Sequence, residues 1–300
     1  MNTVMLNAVS LDGGVIIKRG SGGGGNSGGG GGNTPGGGDT PTPDMPIIGD
    51  GKTYLYIKYP NKRLGKITLN FSQSVNYGVY IDWGDGSELG KAYGEGDAYA
   101  QHTYEEAGEY VISLSPIEGC ILGFGRSSKS YPILGNGQEK EYIYSNMLQA
   151  VEIGNSVTSI GDRAFSGCHS LSNIVIPESV ISIGSYAFNG CSSLSNIVIP
   201  ESVTSIGSYA FYGCSSLSSV VILNGVTSIG NSAFYNCYGI RVYDLSKCTA
   251  IPTLEANNVF YNISSDCKFI IPDALFDEWK SASNWSSHAS KMVKASEFNG

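Results

Sequence analysis

Four stretches of the chain repeat one another with a period of 23 residues, and that spacing restricts what it can fold into. Ile174-Val175-Ile176-Pro177-Glu178-Ser179-Val180 returns as Ile197-Val198-Ile199-Pro200-Glu201-Ser202-Val203. Phe165, Phe188, Phe211 and Phe234 share one phase, and Cys168, Cys191, Cys214 and Cys237 share another. A coil this short cannot bury its own apolar face, so successive coils must stack around a common core. Such a stack presents a long regular surface, which points to recognition rather than catalysis.

Within one coil the order is Leu171-x-x-Ile174-x-Ile176, then Val180-x-x-Ile183-Gly184, then Ala187-Phe188-x-x-Cys191. Period-two alternation sends Ile174 and Ile176 inward and leaves Asn173 and Val175 on the outer face of a strand. Pro177 ends that strand because it has no amide hydrogen to donate. Gly184 is expected to permit a bend into a short helical turn that inserts Ala187 and Phe188 into the core. The motif I-x-I-P-x-S-V-x-S-I-G-x-x-A-F-x-G-C-x-S-L resembles the BspA-type leucine-rich repeats over roughly Leu148 to Pro272. The resemblance implies a surface-displayed, non-enzymatic protein that binds host or matrix components, without naming a ligand.

The end coils depart from the pattern, as solenoid ends do. The first has Gly154 where later coils have Pro177 and Pro200, and the fourth has Leu223-Asn224-Gly225. Tyr243-Asp244-Leu245 and Phe269-Ile270-Ile271-Pro272 read as degenerate strands. Residues 273–300 read as a helical cap in which Asp273 caps a short helix. Leu275, Phe276, Trp279 and Trp285 are expected to cover the open end of the core; a sugar platform is the other reading of the tryptophans.

Upstream, Tyr54-Leu55-Tyr56-Ile57 and Ile67-Thr68-Leu69-Asn70-Phe71 alternate like half-buried strands. Asp82-Trp83-Gly84-Asp85-Gly86-Ser87 marks a tight turn, and His102-Thr103-Tyr104 precedes a last strand over 108–114. These two motifs resemble the PKD-type immunoglobulin-like β-sandwich, a module whose family implies a spacer or weak binding domain. Asp82, Asp85 and Asp97 offer oxygen ligands of the kind calcium takes, but Asp-Gly turns also stand without metal.

The expected order is a segment over 1–19, a Gly/Pro-rich linker over 20–46, a sandwich over 47–118, a solenoid with its N-terminal cap over 119–272, and the cap over 273–300. The linker cannot bury enough apolar surface to offset the entropy of ordering. In residues 1–19 the basic Lys18 and Arg19 follow the apolar residues, the reverse of a secretion signal. No apolar run reaches the roughly 18 residues of a membrane span. An adhesin-like chain read this way fits a virion protein docked to a virion or envelope component through residues 1–19. A secreted bacterial surface adhesin is the alternative.

A net charge of −8 argues against phosphate-backbone binding, so nucleic acid is not an expected partner. Only 15% of residues are charged, leaving a neutral, hydrogen-bonding surface suited to host protein or glycan. Of seven cysteines, four form the column and Cys120, Cys248 and Cys267 lie outside it. In-register thiols point in parallel and do not converge, which favours reduced core cysteine over disulfide or zinc. No metal motif, phosphate loop or nucleophile elbow is present, and no cofactor is expected. Glu178 and Glu201 recur through the repeat alone and face no cleft.

Two surfaces are candidates for binding. One is the outer sheet column Glu152, Val175, Val198 and Val221, with Asn173 and Asn196 beside it. The other is the pair Tyr186 and Tyr209 with the pair Tyr212 and Tyr235, one coil apart in each case. Stacked tyrosines combine apolar faces with hydroxyl groups and suit sugars and protein interfaces. The alternatives are that duplication copied a tolerated surface residue, or that the solenoid packs against neighbouring subunits. A homo-oligomer is compatible with either.

Overall fold

The first half folds into antiparallel strands of two sheets, but the half-buried alternation expected over Ile67–Phe71 does not hold, because Thr68 and Asn70 are buried along with Ile67, Leu69 and Phe71. In this computed structural model residues 52–60, 65–74, 76, 78–92, 94–124, 132–135 and 142–298 are described. The 1–19 segment and the 20–46 linker lie outside the described residues. The strands are β1 (Thr53–Tyr59), β2 (Ile67–Gln73), β3 (Val79–Asp82), β4 (Gly90–Lys91), β5 (Gly96–His102) and β6 (Gly108–Pro116). One sheet runs β1-β6-β3-β4 and the other pairs β2 with β5. Leu55, Ile57, Ile81 and Ile112 from the first are buried with Ile67, Leu69, Phe71 and Ala98 from the second. The sheets do not close on each other, because β4 and β5 remain as edges.

Both sheets continue into the coils. β7 (Leu122–Phe124) and β8 (Leu134–Gly135) pair with β2, and the short helix α1 (Tyr142–Ser145) leads to β9 (Leu148–Glu152) and β10 (Val157–Ile160). β9 pairs antiparallel with β1 on one side and parallel with β11 (Asn173–Val175) on the other. β7 pairs antiparallel with β2 and parallel with β10. The strand pairing therefore crosses residue 118 without a break.

From there the 23-residue period generates two parallel columns. β12 (Ser182–Ile183), then β13 (Asn196–Ile199), β14 (Ser205–Ile206), β15 (Ser219–Ile222) and β16 (Ser228–Ile229) alternate between them. β17 (Val242–Asp244), β18 (Thr253–Leu254), β19 (Lys268–Ile271) and β20 (Met292–Lys294) complete the series. One column runs β10-β12-β14-β16-β18 and the other β13-β15-β17-β19-β20, with β11 in contact with β13.

The third side of each coil is not the short helix expected from the sequence. Residues 185–190 form hydrogen-bonded turns. The amides of Tyr186, Phe188 and Gly190 donate to Ser208, Ala210 and Tyr212 of the next coil, at 2.9, 2.7 and 2.8 Å. Intervening amides bond within the turn, Asn189 to Tyr186 and Cys191 to Phe188, each at 3.1 Å. A helix would turn all these donors inward along its own axis and leave neighbouring coils unlinked. Gly184 also has a different role from a bend: a Cβ there would lie 2.6 Å from the Asp162 amide nitrogen. Close approach of adjacent coils is what excludes a side chain at this position.

The core is a set of columns. Phe165, Phe188, Phe211, Phe234 and Phe260 stack with centroids 5.2, 5.0, 5.1 and 5.7 Å apart, and Phe124 of β7 meets Phe165 edge-on at 5.6 Å. The aromatic column thus starts on β7, the strand that joins β2 to the coils. All seven cysteines are buried and unpaired. The Cys191, Cys214 and Cys237 thiols donate to the carbonyls of Phe165, Phe188 and Phe211 at 3.2, 3.1 and 3.0 Å. Burial pushes the Cys168 and Cys237 thiols up to about 12 and those of Cys191 and Cys214 well above the ordinary range.

The last coil is closed by α2 (Phe276–Ser281) between two 3-10 segments, Asp273–Leu275 and Ser286–Lys291. Asp273 does not cap this helix. Its carboxylate accepts the Ser296 amide at 3.0 Å, tying the end of the chain back to the cap. Trp279 and Trp285 are buried edge-to-face at 5.4 Å, and the Trp285 indole donates to Pro252 O at 2.7 Å. Leu275 and Phe276 are only partly buried against them.

Candidate functional site

The turn side of the solenoid carries a stripe of aromatic rings whose placement follows from backbone geometry. The residue before each core alanine is left-handed in four successive coils: Arg163, Tyr186, Tyr209 and Ser232 have φ of 58°, 58°, 59° and 54°. Left-handed backbone at a bulky residue costs roughly 1–2 kcal/mol. Here the inter-coil hydrogen bonds hold it, and it aligns the side chains into a column. The glycine two residues after each core phenylalanine is left-handed as well, and Asn236 and Asn262 replace it in the later coils. Asparagine is among the non-glycine residues most tolerant of that conformation.

The Tyr186 and Tyr209 rings are parallel at 4.8 Å, and Tyr209 meets Tyr212 at 5.8 Å. Tyr212 stacks on Tyr235 at 5.3 Å, and Tyr235 on Tyr261 at 5.0 Å. At the other end the Arg163 guanidinium lies 4.9 Å over the Tyr186 ring. Asn236 Nδ2 donates to the Tyr212 hydroxyl at 3.3 Å, and Asn262 Nδ2 to Asn236 Oδ1 at 2.9 Å. The two tyrosine pairs read from the sequence are one diagonal stripe joined at the third coil. Arg163 and Tyr261, which extend it, were not among the expected residues. Tyr261 escapes a 23-residue search because the fifth coil is longer: Phe234 stacks on Phe260 and Tyr235 on Tyr261, each 26 residues on.

The outer sheet column is less open than its sequence suggests. Val175 and Val198 are 51% and 52% exposed, and Asn173 and Asn196 are exposed. Glu152 and Val221 are half-buried instead. Glu152 pairs with Tyr54 across the joint to the sandwich, and Val221 lies in register between Val198 and Asp244. Asn196 Oδ1 accepts the Ser218 and Ser219 hydroxyls at 2.8 and 3.0 Å, which braces the next coil. Tyr186, Tyr209, Tyr212 and Tyr235 are half-buried as well, so exposure alone does not rank the two surfaces.

In the sandwich, the two motifs meet as one packed cluster. His102 stacks on Trp83 at 4.8 Å and contacts Asp85 Oδ2 through Nε2 at 2.7 Å, while the Tyr104 hydroxyl donates to Trp83 O at 2.7 Å. Burial raises the Asp85 carboxyl, but hydrogen bonds from Ser87 and His102 outweigh it and hold the group below its usual value. Asp82 accepts the Gly84 amide at 2.9 Å, and Asp97 stands on β5. Among the described residues no group of three or more His, Cys, Asp or Glu side chains is gathered to hold a metal ion. No helix among them is long and apolar enough to cross a membrane.

The mainly β chain stacks its coils in two parallel strand columns and carries aromatic rings along the turn side. Residues 138–266 match the BspA type leucine rich repeat region, in six copies, so the solenoid is similar to that family. A leucine-rich-repeat protein of T. pallidum is 28% identical over 45% of this chain and 70% of its own, with a TM-score of 0.33. One from Bacteroides ovatus is 25% identical over 49% of this chain and 36% of its own, at 0.32. The pneumococcal vaccine antigen PcpA is 18% identical over 60% and 46%, at 0.39. No curated protein matches the chain.

Proposed function

We propose that this chain is a non-enzymatic recognition protein whose solenoid presents the Arg163–Tyr261 stripe to a host-cell protein or glycan. The observation that carries this reading is the stack of rings on the turn side, with centroids 4.8 to 5.8 Å apart and a guanidinium at its end. Tyrosine and arginine are among the side chains that most often anchor interfaces. The similarity of residues 138–266 to BspA type repeats supports a binding or adhesion role. The sandwich fits a PKD-type spacer, its Trp83, Asp85, His102 and Tyr104 spent on mutual packing.

Display outside the cell is part of the proposal, with residues 1–19 as the attachment to a virion or a bacterial envelope. Fluorescently labelled intact protein, tested on bacterial cells and on a glycan array, decides between recognition and architecture. Saturable binding to cells or glycans is expected. Binding confined to particle proteins would contradict it and assign the solenoid an architectural role. Peptides in purified phage particles, or in a bacterial surface fraction, identify the carrier.

A further inference from the structure

The rings of the tyrosine stripe are stacked in a way that decides which of their atoms can meet a partner. Tyr186 lies between the Arg163 guanidinium at 4.9 Å and the Tyr209 ring at 4.8 Å. Tyr235 lies between Tyr212 at 5.3 Å and Tyr261 at 5.0 Å. The interplanar angles of the three ring pairs are 6°, 15° and 26°, so face lies on face. Tyr209 and Tyr212 each give one face to these stacks and are tilted by 48° where they meet. A sugar packs its C–H face on an open aromatic face, and within the stripe those faces are occupied. Tyr261, 57% exposed at the end of the row, is the exception.

What the rings present outward is their edges and hydroxyls. The Tyr212 hydroxyl accepts from Asn236 Nδ2 at 3.3 Å. The hydroxyls of Tyr186, Tyr209 and Tyr235 are neither buried nor hydrogen-bonded among the described residues. Tyr186 and Tyr209 share a left-handed backbone and parallel rings, so the same group recurs from coil to coil. A ring edge is the positive side of the aromatic quadrupole, and a hydroxyl both gives and takes a hydrogen bond. Such a row suits the carbonyls, amides and side-chain oxygens of a protein surface. The ground between the tyrosines is Ser185, Ser208, Asn189, Asn236, Gly190 and Gly213. Tyrosine set among serine, asparagine and glycine, with arginine at one end, is the composition of antibody paratopes: rigid rings lose little entropy, and small polar neighbours adjust their hydrogen bonds.

We propose that the stripe binds a folded protein through the hydroxyl edges of Tyr186, Tyr209 and Tyr235, and not a glycan through ring faces. This rests on the recognition reading above and narrows it to one class of partner. Fluorescent intact protein, titrated onto bacterial and cultured animal cells, tests it, with the cells untreated, shaved with trypsin, or oxidised with periodate to open their surface sugars. Binding is expected to be lost after trypsin and kept after periodate. Tyr186→Phe, Tyr209→Phe and Tyr235→Phe together retain the stacked rings and remove the hydroxyls. Affinity of that triple variant should fall at least about tenfold while its melting matches the parent's. Binding that survives trypsin, binding lost after periodate, or undiminished affinity of the triple variant would each overturn the proposal. Loss after periodate would leave the recognition reading standing with a glycan as partner, whereas failure to bind any cells would remove both.

Discussion

The Gly154 amide donates to the Thr53 hydroxyl at 2.9 Å, across 101 residues of chain, where the first coil meets the sandwich. Later coils carry Pro177 and Pro200 at this position, and proline has no hydrogen to give. The glycine that looked like a degenerate repeat is the residue that lets β1 cap the solenoid. Thr53 is fully buried. Thr53→Val, which keeps the shape and removes the acceptor, should cost about 1–3 kcal/mol through the unpaired amide. Chemical unfolding of the variant measures this; an unchanged midpoint would mean the joint is not stabilising.

The aromatic column should be equally sensitive. Phe211 is fully buried between Phe188 at 5.0 Å and Phe234 at 5.1 Å. Phe211→Ala should cost about 3–5 kcal/mol, since rigid coils on both sides leave the cavity little room to collapse. A loss under about 1 kcal/mol in the same unfolding assay would contradict the stacked core.

The column thiols should be chemically silent in the folded protein. Cys168 and Cys237 are pushed up to about 12 by burial, so at neutral pH almost no thiolate is present. A thiol-reactive dye should label none of the four until denaturant is added, without any reductant. A Cys191–Cys214 crosslink found by mass spectrometry would show the side chains converging, against the geometry described.

Acidification should act first on the C-terminal cap. His288 is half-buried against Phe260 at 5.5 Å and Phe269 at 5.4 Å, and burial, aided by Lys291, lowers its pKa. Its folded value lies below the unfolded value of about 6.5, so the unfolded chain takes the proton first as pH falls. Stability is therefore full above about pH 6.5 and declines below it, until His288 protonates in the folded state as well. His288→Phe should flatten that part of the pH–stability curve. An identical curve for the variant would place the acid sensitivity elsewhere.

Much of the solenoid was legible because its period is rigid: Phe188 and Phe211, or Cys191 and Cys214, announce their columns by spacing alone. The turn side was misread as helical because Gly184-Ser185-Tyr186-Ala187-Phe188 carries no local mark of hydrogen bonds that run between coils. Those bonds depend on a left-handed Tyr186, which only stacking imposes. The pairing of β1 with β9 was hidden for a similar reason, since it joins residues about a hundred positions apart. Of the candidate site, Tyr186, Tyr209, Tyr212 and Tyr235 were visible, and Arg163 and Tyr261 were not. The first lies in a coil that lacks the tyrosine, and the second follows an insertion that breaks the period.

The proposed recognition stripe is tested most directly by removing it with residues the repeat already uses. Tyr186→Ser and Tyr209→Ser copy Ser232 of the fourth coil, and Tyr212→Asn and Tyr235→Asn copy Asn189 of the second. These replacements suit the local backbone, so melting should change little. The quadruple variant should lose binding to cells or glycans by at least about a hundredfold, the expected effect of deleting a cluster of interface anchors. Undiminished binding by a variant that melts like the parent would contradict the assignment of the tyrosine stripe as the recognition surface.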